Sequence, residues 1–223
     1  MRRAIVFDLD GTLIDSAPDI HRAVNAVLAG EGPGRVGFEQ LRGFIGNGAA
    51  VLIRRVIAAL GLPGDEATQD RLLEAFLRRY EQAPELTTLY PGMRAALDGL
   101  LRDGFTLGLC TNKPIAPTRV VMDHFGLTPL FSALIGGDSL PQRKPDPAPL
   151  RAVMDRLGVT TCLYVGDSEV DAETAERAGV PFALFTQGYR KSPVEAVPHA
   201  RAFDHFDALP GIVADLFAAG ATG

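Results

Sequence analysis

Two aspartates stand two residues apart where an apolar run ends, in Val6-Phe7-Asp8-Leu9-Asp10-Gly11-Thr12. Ala4-Ile5-Val6-Phe7 has the β-branched, unbroken apolar character of a parallel strand covered on both faces. Gly11 stops the run, so both carboxylates fall at the carboxyl end of the strand, the edge where open α/β sheets gather ligands. Such a pair attracts a hard cation. The competing reading is a turn or a helix N-cap, which aspartate also favours. What separates the two is whether other strand ends bring matching groups.

Three later segments bring them. Thr111-Asn112 closes the strand-like run Phe105 to Cys110, and Lys144 lies in Arg143-Lys144-Pro145-Asp146-Pro147 after a short strand at Ala133-Leu134-Ile135. Gly166-Asp167-Ser168 closes a strand at Cys162 to Val165, and Asp171 follows one helical turn on. With strand one between strands two and four, these groups would meet over one crevice. Asp8, Asp10 and Asp167 would then offer oxygen ligands to Mg²⁺, which takes few carboxylates and leaves positions for waters and a substrate phosphate. The Thr111 hydroxyl and the backbone N–H groups near Asn112, close to a helix N-terminus, suit phosphate oxygens. Lys144 adds a fixed positive charge against phosphate and carboxylates.

The elements that must hold these groups follow from hydrophobic periodicity. From Asp15 to about Glu85 the pattern gives four helix-like segments and no strand. The first carries Ile20, Ala23, Val24, Val27 and Leu28 on one stripe, with Ser16 as its candidate N-cap. Gly30, Gly32, Pro33 and Gly34 break it, and a short second segment with Phe38, Leu41 and Ile45 stops at Gly46-Asn47-Gly48. The third aligns Leu52, Ile53, Val56, Ile57 and Leu60; the fourth aligns Leu72, Leu73, Phe76, Leu77 and Tyr80. Beyond Tyr90-Pro91-Gly92 strands and helices alternate, with further strands at Phe182 to Phe185 and Ala200 to Phe203 and a last helix from Leu209 to Phe217. A frayed tail is expected from Ala218. Such alternation indicates right-handed βαβ units. The expected fold is α/β, a Rossmann-like parallel sheet of residues 1–14 and 89–223, with an inserted helical bundle of residues 15–88.

Bulk properties narrow the partners. The 223 residues are 47% hydrophobic and carry a net charge of −5, which gives no electrostatic reason to expect nucleic acid or an anionic membrane. No apolar run approaches the ~18 residues of a membrane span, and Met1-Arg2-Arg3 leads too quickly into acidic residues to read as a signal peptide. Cys110 and Cys162 fall inside apolar runs and read as buried free thiols in a reducing cytosol, so a cytoplasmic protein is expected.

Taken together, the segments resemble the phosphatases of the haloacid dehalogenase superfamily. Their four motifs are similar to Asp8-Leu9-Asp10-Gly11-Thr12, Thr111-Asn112, Lys144-Pro145 and Gly166-Asp167-Ser168 with Asp171, in order, and the helical insert sits where such enzymes carry a cap. The resemblance implies that Asp8 is a nucleophile forming an aspartyl-phosphate. Asp10 would be the acid and base, with its backbone carbonyl on Mg²⁺. It also implies phosphate binding by Gly11, Thr111, Asn112 and Lys144. Lys113-Pro114, Gly137-Asp138-Ser139, Phe44-Ile45-Gly46-Asn47-Gly48 and Gly188-Tyr189 look like the phosphoglycolate phosphatase group within that superfamily. This implies a small phosphorylated metabolite, 2-phosphoglycolate, as substrate. Gly46, Asn47 and Gly48 would then face the substrate carboxylate when the cap closes; the plainer reading of that turn is a helix stop. Two rivals share part of the pattern. A β-phosphoglucomutase-like enzyme has the same core and aspartate pair, although such mutases tend to have Gly-Val where this chain has Gly11-Thr12. A phospho-accepting receiver module is shorter and has no helical insert.

Other residues read as structural. Asp171 would orient Lys144 or a metal-bound water, and Ser168 would cap the following helix. His21, His124, His199 and His205 lack ligand spacing, Arg190-Lys191 reads as a solvated pair, and Tyr80 reads as packing.

Overall fold

The structure is a computed structural model and describes residues 3–31 and 34–219. Its centre is β1 (Arg3–Phe7), where Ile5 and Phe7 enter one apolar cluster and Ala4 and Val6 the other, all fully buried. That alternation is the two-residue period of a strand with both faces covered.

The chain then forms β2 (Ile14–Asp15), α1 (Ala17–Leu28), α2 (Phe38–Arg42), α3 (Ala49–Leu60), α4 (Glu66–Tyr80) and β3 (Thr88–Leu89). After these come α5 (Met93–Arg102), β4 (Phe105–Cys110), α6 (Ile115–His124), β5 (Phe131–Ile135), α7 (Ala148–Leu157), β6 (Leu163–Gly166), α8 (Glu169–Ala178), β7 (Phe182–Phe185), β8 (Arg201–Phe203) and α9 (Leu209–Ala219). Six strands make one parallel sheet in the order β5-β4-β1-β6-β7-β8. On one face Ile5 and Phe7 pack with Leu97 and Leu100 of α5 and Val213 of α9; on the other Ala4 and Val6 pack with Val153 and Leu157 of α7 and Ala172 of α8. Phe7 lies opposite Leu109 of β4 and Val165 of β6. The three central strands therefore end level, and the polar residues that follow them emerge side by side.

Helices α1 to α4 have a core of their own, in which Ile20, Val24, Leu52, Ile53, Val56, Leu72 and Phe76 are buried together. Twelve-residue helices such as α1 and α3 are marginal alone, so this shared apolar core holds them. The sequence reading missed β2 and β3, an antiparallel ribbon where the chain leaves for the helices and returns. Two residues each are too short for a periodic signal. A second tie lies beside the ribbon: Asp19 Oδ2 of α1 accepts the N–H groups of Glu85, Leu86 and Thr87 at 2.8–3.1 Å and the Thr87 hydroxyl at 2.7 Å.

Several boundaries move. Helix α2 ends at Arg42, leaving Ile45 in the turn, and Phe38 is 38% exposed rather than part of a buried stripe. Strand β5 begins at Phe131, and β6 begins after Cys162. Helix α9 continues through Ala219; residues 220–223 of the expected frayed tail, and Gly32-Pro33 of the expected turn, lie outside the described residues. Among the described residues no helix is long and apolar enough to cross a membrane.

Candidate active site

Lys144 ties together the ends of two central strands. It follows β5 in a loop pinned by Asn112, whose Oδ1 accepts the Lys144 N–H and whose Nδ2 donates to the Lys144 carbonyl, both at 3.0 Å. The buried ammonium lies 2.9 Å from Asp8 Oδ1 and 2.7 Å from Asp171 Oδ1, and donates to the Tyr164 hydroxyl at 2.8 Å. Burial alone would strip its proton, but the carboxylates of Asp171 and Asp8 outweigh burial and hold the ammonium charged.

Asp171 is enclosed by donors. Its Oδ1 accepts from Lys144 and from the Tyr164 hydroxyl, and its Oδ2 accepts the N–H groups of Asp167 and Ser168 and the Ser168 hydroxyl. Ser168 is the N-cap of α8, as expected, and forms a capping box with Asp171. Asp167 is held by Thr12 Oγ1, donating to Oδ1 at 2.8 Å, and by the Tyr189 N–H, donating to Oδ2 at 2.6 Å. Two glycines allow this close packing: a Cβ on Gly188 would come within 2.3 Å of Asp167 Oδ2, and one on Gly11, where φ is +89°, within 2.5 Å.

Oxygens of Asp8, Asp167 and Asp171 lie within 4.8 Å of one another, all buried. One buried ammonium faces these three carboxylates. Burial, opposed by Lys144 and reinforced by Asp171, pushes Asp8 up to about 7, and burial with Asp171 and Asp8 nearby pushes Asp167 upward too. Asp8 Oδ1 is paired with the ammonium at 2.9 Å and has no other donor among the described residues. A carboxylate oxygen whose ammonium partner is shared with Asp171, beside surplus buried negative charge, fits a hard divalent cation. Because the oxygens of Asp171 are taken by five donors, Asp8 and Asp167 are the carboxylates left to hold it.

Asp10 points elsewhere. Its Oδ1 accepts from Ser16 Oγ at 2.6 Å and lies 3.2 Å from Lys113 Nζ. Ser16 does sit at the N-terminus of α1, but its hydroxyl makes no cap and goes to Asp10 instead. Asp8 and Asp10 both line a cavity of about 40 Å³, room for roughly three waters. It is lined by Ile20, Leu52, Phe76 and Tyr80 from the helices and by Ile45 from the turn after α2, and Thr111, Asn112 and Lys113 form its other side.

The expected site residues therefore divide. Asp8, Asp10, Thr111 and Asn112 reach the cavity together with the backbone of Gly46 and Gly48, and Lys144, Asp167 and Asp171 support them from beneath. Gly11 lies against Asp167 and Tyr189 and is not among the lining residues. Nor is Asn47, whose Oδ1 accepts from Arg55 Nη2 at 2.9 Å. The Asn112 amide also donates to the Gly46 carbonyl at 3.0 Å, fastening the turn to the sheet edge.

In sequence, this order of strand ends matches one family. The model of the haloacid dehalogenase-like hydrolases matches residues 5–185. The chain belongs to the haloacid dehalogenase-like hydrolases. A phosphoglycolate phosphatase of Cereibacter sphaeroides is 55% identical over 215 residues, covering 96% of this chain and 99% of that protein. One of Rhodobacter capsulatus is 46% identical, covering 96% and 97%. Among solved structures, a predicted phosphoglycolate phosphatase from Haemophilus somnus superposes with a TM-score of 0.90 at 31% identity, over 95% of this chain and 98% of that one.

In this haloacid dehalogenase-like hydrolase four groups escaped the sequence reading. Thr12 and Tyr189 stood inside quoted motifs without a role, although both fix Asp167. Lys113 was quoted only as part of a resemblance, and it is buried against Asp10. Tyr80 does stack on Phe76, as a packing residue should, but its hydroxyl also accepts from Lys113 Nζ at the cavity wall. The available signal was a lysine directly after a strand-ending Thr-Asn. The cysteines are free and buried, and burial pushes both thiols up to about 12.

Proposed function

We propose that this hydrolase is a Mg²⁺-dependent phosphomonoesterase that converts 2-phosphoglycolate to glycolate and phosphate through an aspartyl-phosphate on Asp8. The observation that carries the reading is the buried Asp8 carboxylate on a small cavity, its Oδ1 paired with the Lys144 ammonium and with no other donor among the described residues, and the Asp10 carboxylate on the same cavity. The names of the relatives at 46–55% identity support the choice of substrate.

Asp8 Oδ1 attacks phosphorus as the bond to the ester oxygen breaks, and Asp10 gives its proton to the departing glycolate oxygen. Water then attacks phosphorus, Asp10 takes its proton, and the Asp8 carboxylate leaves with its oxygens intact. Lys144 keeps positive charge beside Asp8 throughout, and the backbone N–H groups near Thr111 and Asn112 hold phosphate oxygens. Asp8, Asp167 and the Asp10 main-chain carbonyl hold Mg²⁺, which when bound neutralises phosphate charge that would otherwise repel a carboxylate nucleophile.

Residues 15–88 act as a cap over a core of residues 1–14 and 89–223. Support comes from the separate apolar core of the helices and the ribbon at their junction. The Asn112 amide joins the core to the Gly46 carbonyl of the cap, so this contact breaks as the cap opens for substrate exchange. Buried free thiols suit a cytoplasmic protein.

Phosphate release tests the reading. With Mg²⁺, kcat/KM for 2-phosphoglycolate is expected to exceed that for other small phosphomonoesters by about 100-fold or more. Similar rates across the panel reduce the enzyme to a general phosphatase. Isomerisation of glucose 1-phosphate without phosphate release would make it a mutase, and one phosphorylation per chain without turnover a receiver.

A further inference from the structure

The cavity contains one charged group that phosphoryl transfer leaves unused. Lys113 follows β4, its side chain is 1% exposed, and it is the sole cation lining the cavity among the described residues. Its ammonium lies 3.2 Å from Asp10 Oδ1 and donates to the Tyr80 hydroxyl of α4. The surrounding wall is apolar: Ile20, Ile45, Leu52 and Phe76.

We propose that Lys113, positioned by Tyr80, is the specificity-determining residue that binds a second anionic group on the substrate, the carboxylate of a short phosphorylated hydroxy acid. The proposal deepens the function given above and rests on it for the phosphoryl chemistry.

Lys144 is engaged by Asp8 and Asp171, so Lys113 is the cation that the cavity itself presents. It lies beside Asp10, which on the function given above serves the leaving oxygen, so a group carried on that oxygen comes within its reach. Charges among apolar walls are poorly screened, and an ammonium there favours an anion over a neutral group. A substrate with a carboxylate beside the leaving oxygen meets that charge, and a neutral substrate does not. The side chain of Asn47, turned to Arg55, is not on the cavity wall to take this role. The apolar walls and small volume also hold the second group close to the phosphate, which favours a two- or three-carbon acid over a sugar.

The test compares 2-phosphoglycolate with 2-hydroxyethyl phosphate, which has a hydroxymethyl group in place of the carboxylate, and adds 3-phosphoglycerate. Wild type, Lys113→Met and Lys113→Arg are assayed for kcat/KM, with thermal unfolding as the check on folding. Lys113→Gln, which keeps a donor for Asp10, replaces the Met variant if that one does not fold. Wild type is expected to prefer the carboxylated ester over 2-hydroxyethyl phosphate by about 100-fold or more, Lys113→Met to cut that ratio to below about tenfold, and Lys113→Arg to recover most of it. Tyr80→Phe should lower the ratio by a smaller factor.

Equal losses on charged and neutral esters, leaving the ratio intact, would mean that Lys113 serves only Asp10, and would overturn the proposal. So would a wild-type enzyme with no preference for carboxylated esters. If 3-phosphoglycerate is the preferred ester and loss of the lysine erases that preference, the Lys113 assignment stands and 2-phosphoglycolate falls as the substrate.

Discussion

The floor and the roof of the cavity are built on different principles. On the floor each polar side chain is held by others that are themselves buried: Lys144 by Asp8, Asp171 and Tyr164, and Asp171 by five donors. The roof is mostly apolar side chains of α1, α3 and α4 with the Gly46 to Gly48 turn, and its polar fastening to the sheet edge includes one amide, Asn112 Nδ2 to the Gly46 carbonyl. A floor of this kind is rigid because moving any member leaves a buried charge without a partner. A roof of this kind separates at the cost of a few hydrogen bonds and some apolar contact. On the function proposed above, the difference is that between a part that would perform the chemistry and a part that would select what reaches it.

Breaking the floor should have the largest effect. Lys144→Met keeps most of the volume and removes the charge, leaving Asp8 and Asp171 to face each other. We expect kcat to fall by about 10³-fold and stability by about 3 kcal/mol, measured by phosphate release and denaturant unfolding. Activity within about tenfold of wild type would mean that the ammonium is not a working part of the floor.

The floor should also respond to pH. Asp8 titrates at about 7 in the folded protein without metal, well above the ~3.9 of an unfolded aspartate. The folded state therefore binds a proton that the unfolded chain has released. Its stabilising contribution is full below the unfolded value and is lost as pH rises through about 7. On the function proposed above, a divalent cation would take the place of that proton. Mg²⁺ at about 100 times its dissociation constant should raise the melting temperature by on the order of 5–10 °C at pH 8, and by much less at pH 5. A gain equal at both values would dissociate the cation from the Asp8 carboxylate.

The smallest effect belongs to the roof. Asn47→Ala removes the hydrogen bond with Arg55 and touches no lining group. A change in kcat/KM of about threefold or less is expected, with a stability loss of about 1 kcal/mol. A loss above about 100-fold would return Asn47 to substrate recognition and make the roof a polar reader in its own right.

The same contrast explains what could be read in the sequence. Asp8, Thr111 and Asp167 were legible because each directly follows an apolar, strand-like run, and Lys144 because it lies in the loop after another; parallel topology then brings these ends together. Phe7 opposite Leu109 and Val165 is the register that expectation required. Roof residues have no such anchor. Tyr80 falls on the apolar stripe of α4, and nothing in its spacing distinguishes a hydroxyl in contact with a buried ammonium from one in solvent. Lys113 illustrates the point from the other side: lysine at a strand end is ordinarily solvated, and this one is buried only because helices from a distant part of the chain cover it. Asn47 shows the reverse case. A polar residue in a glycine turn looked available for substrate, and an arginine eight residues on engages it.

Acid-quenching the enzyme during turnover of 2-phosphoglycolate with Mg²⁺ and mapping its peptides by mass tests the central claim most directly. The expected result is a phosphoryl group on Asp8 of the wild type, absent from Asp8→Asn, with turnover abolished in that variant. Continued phosphate release by a folded Asp8→Asn protein, or turnover with no phosphoryl group on Asp8, would contradict it.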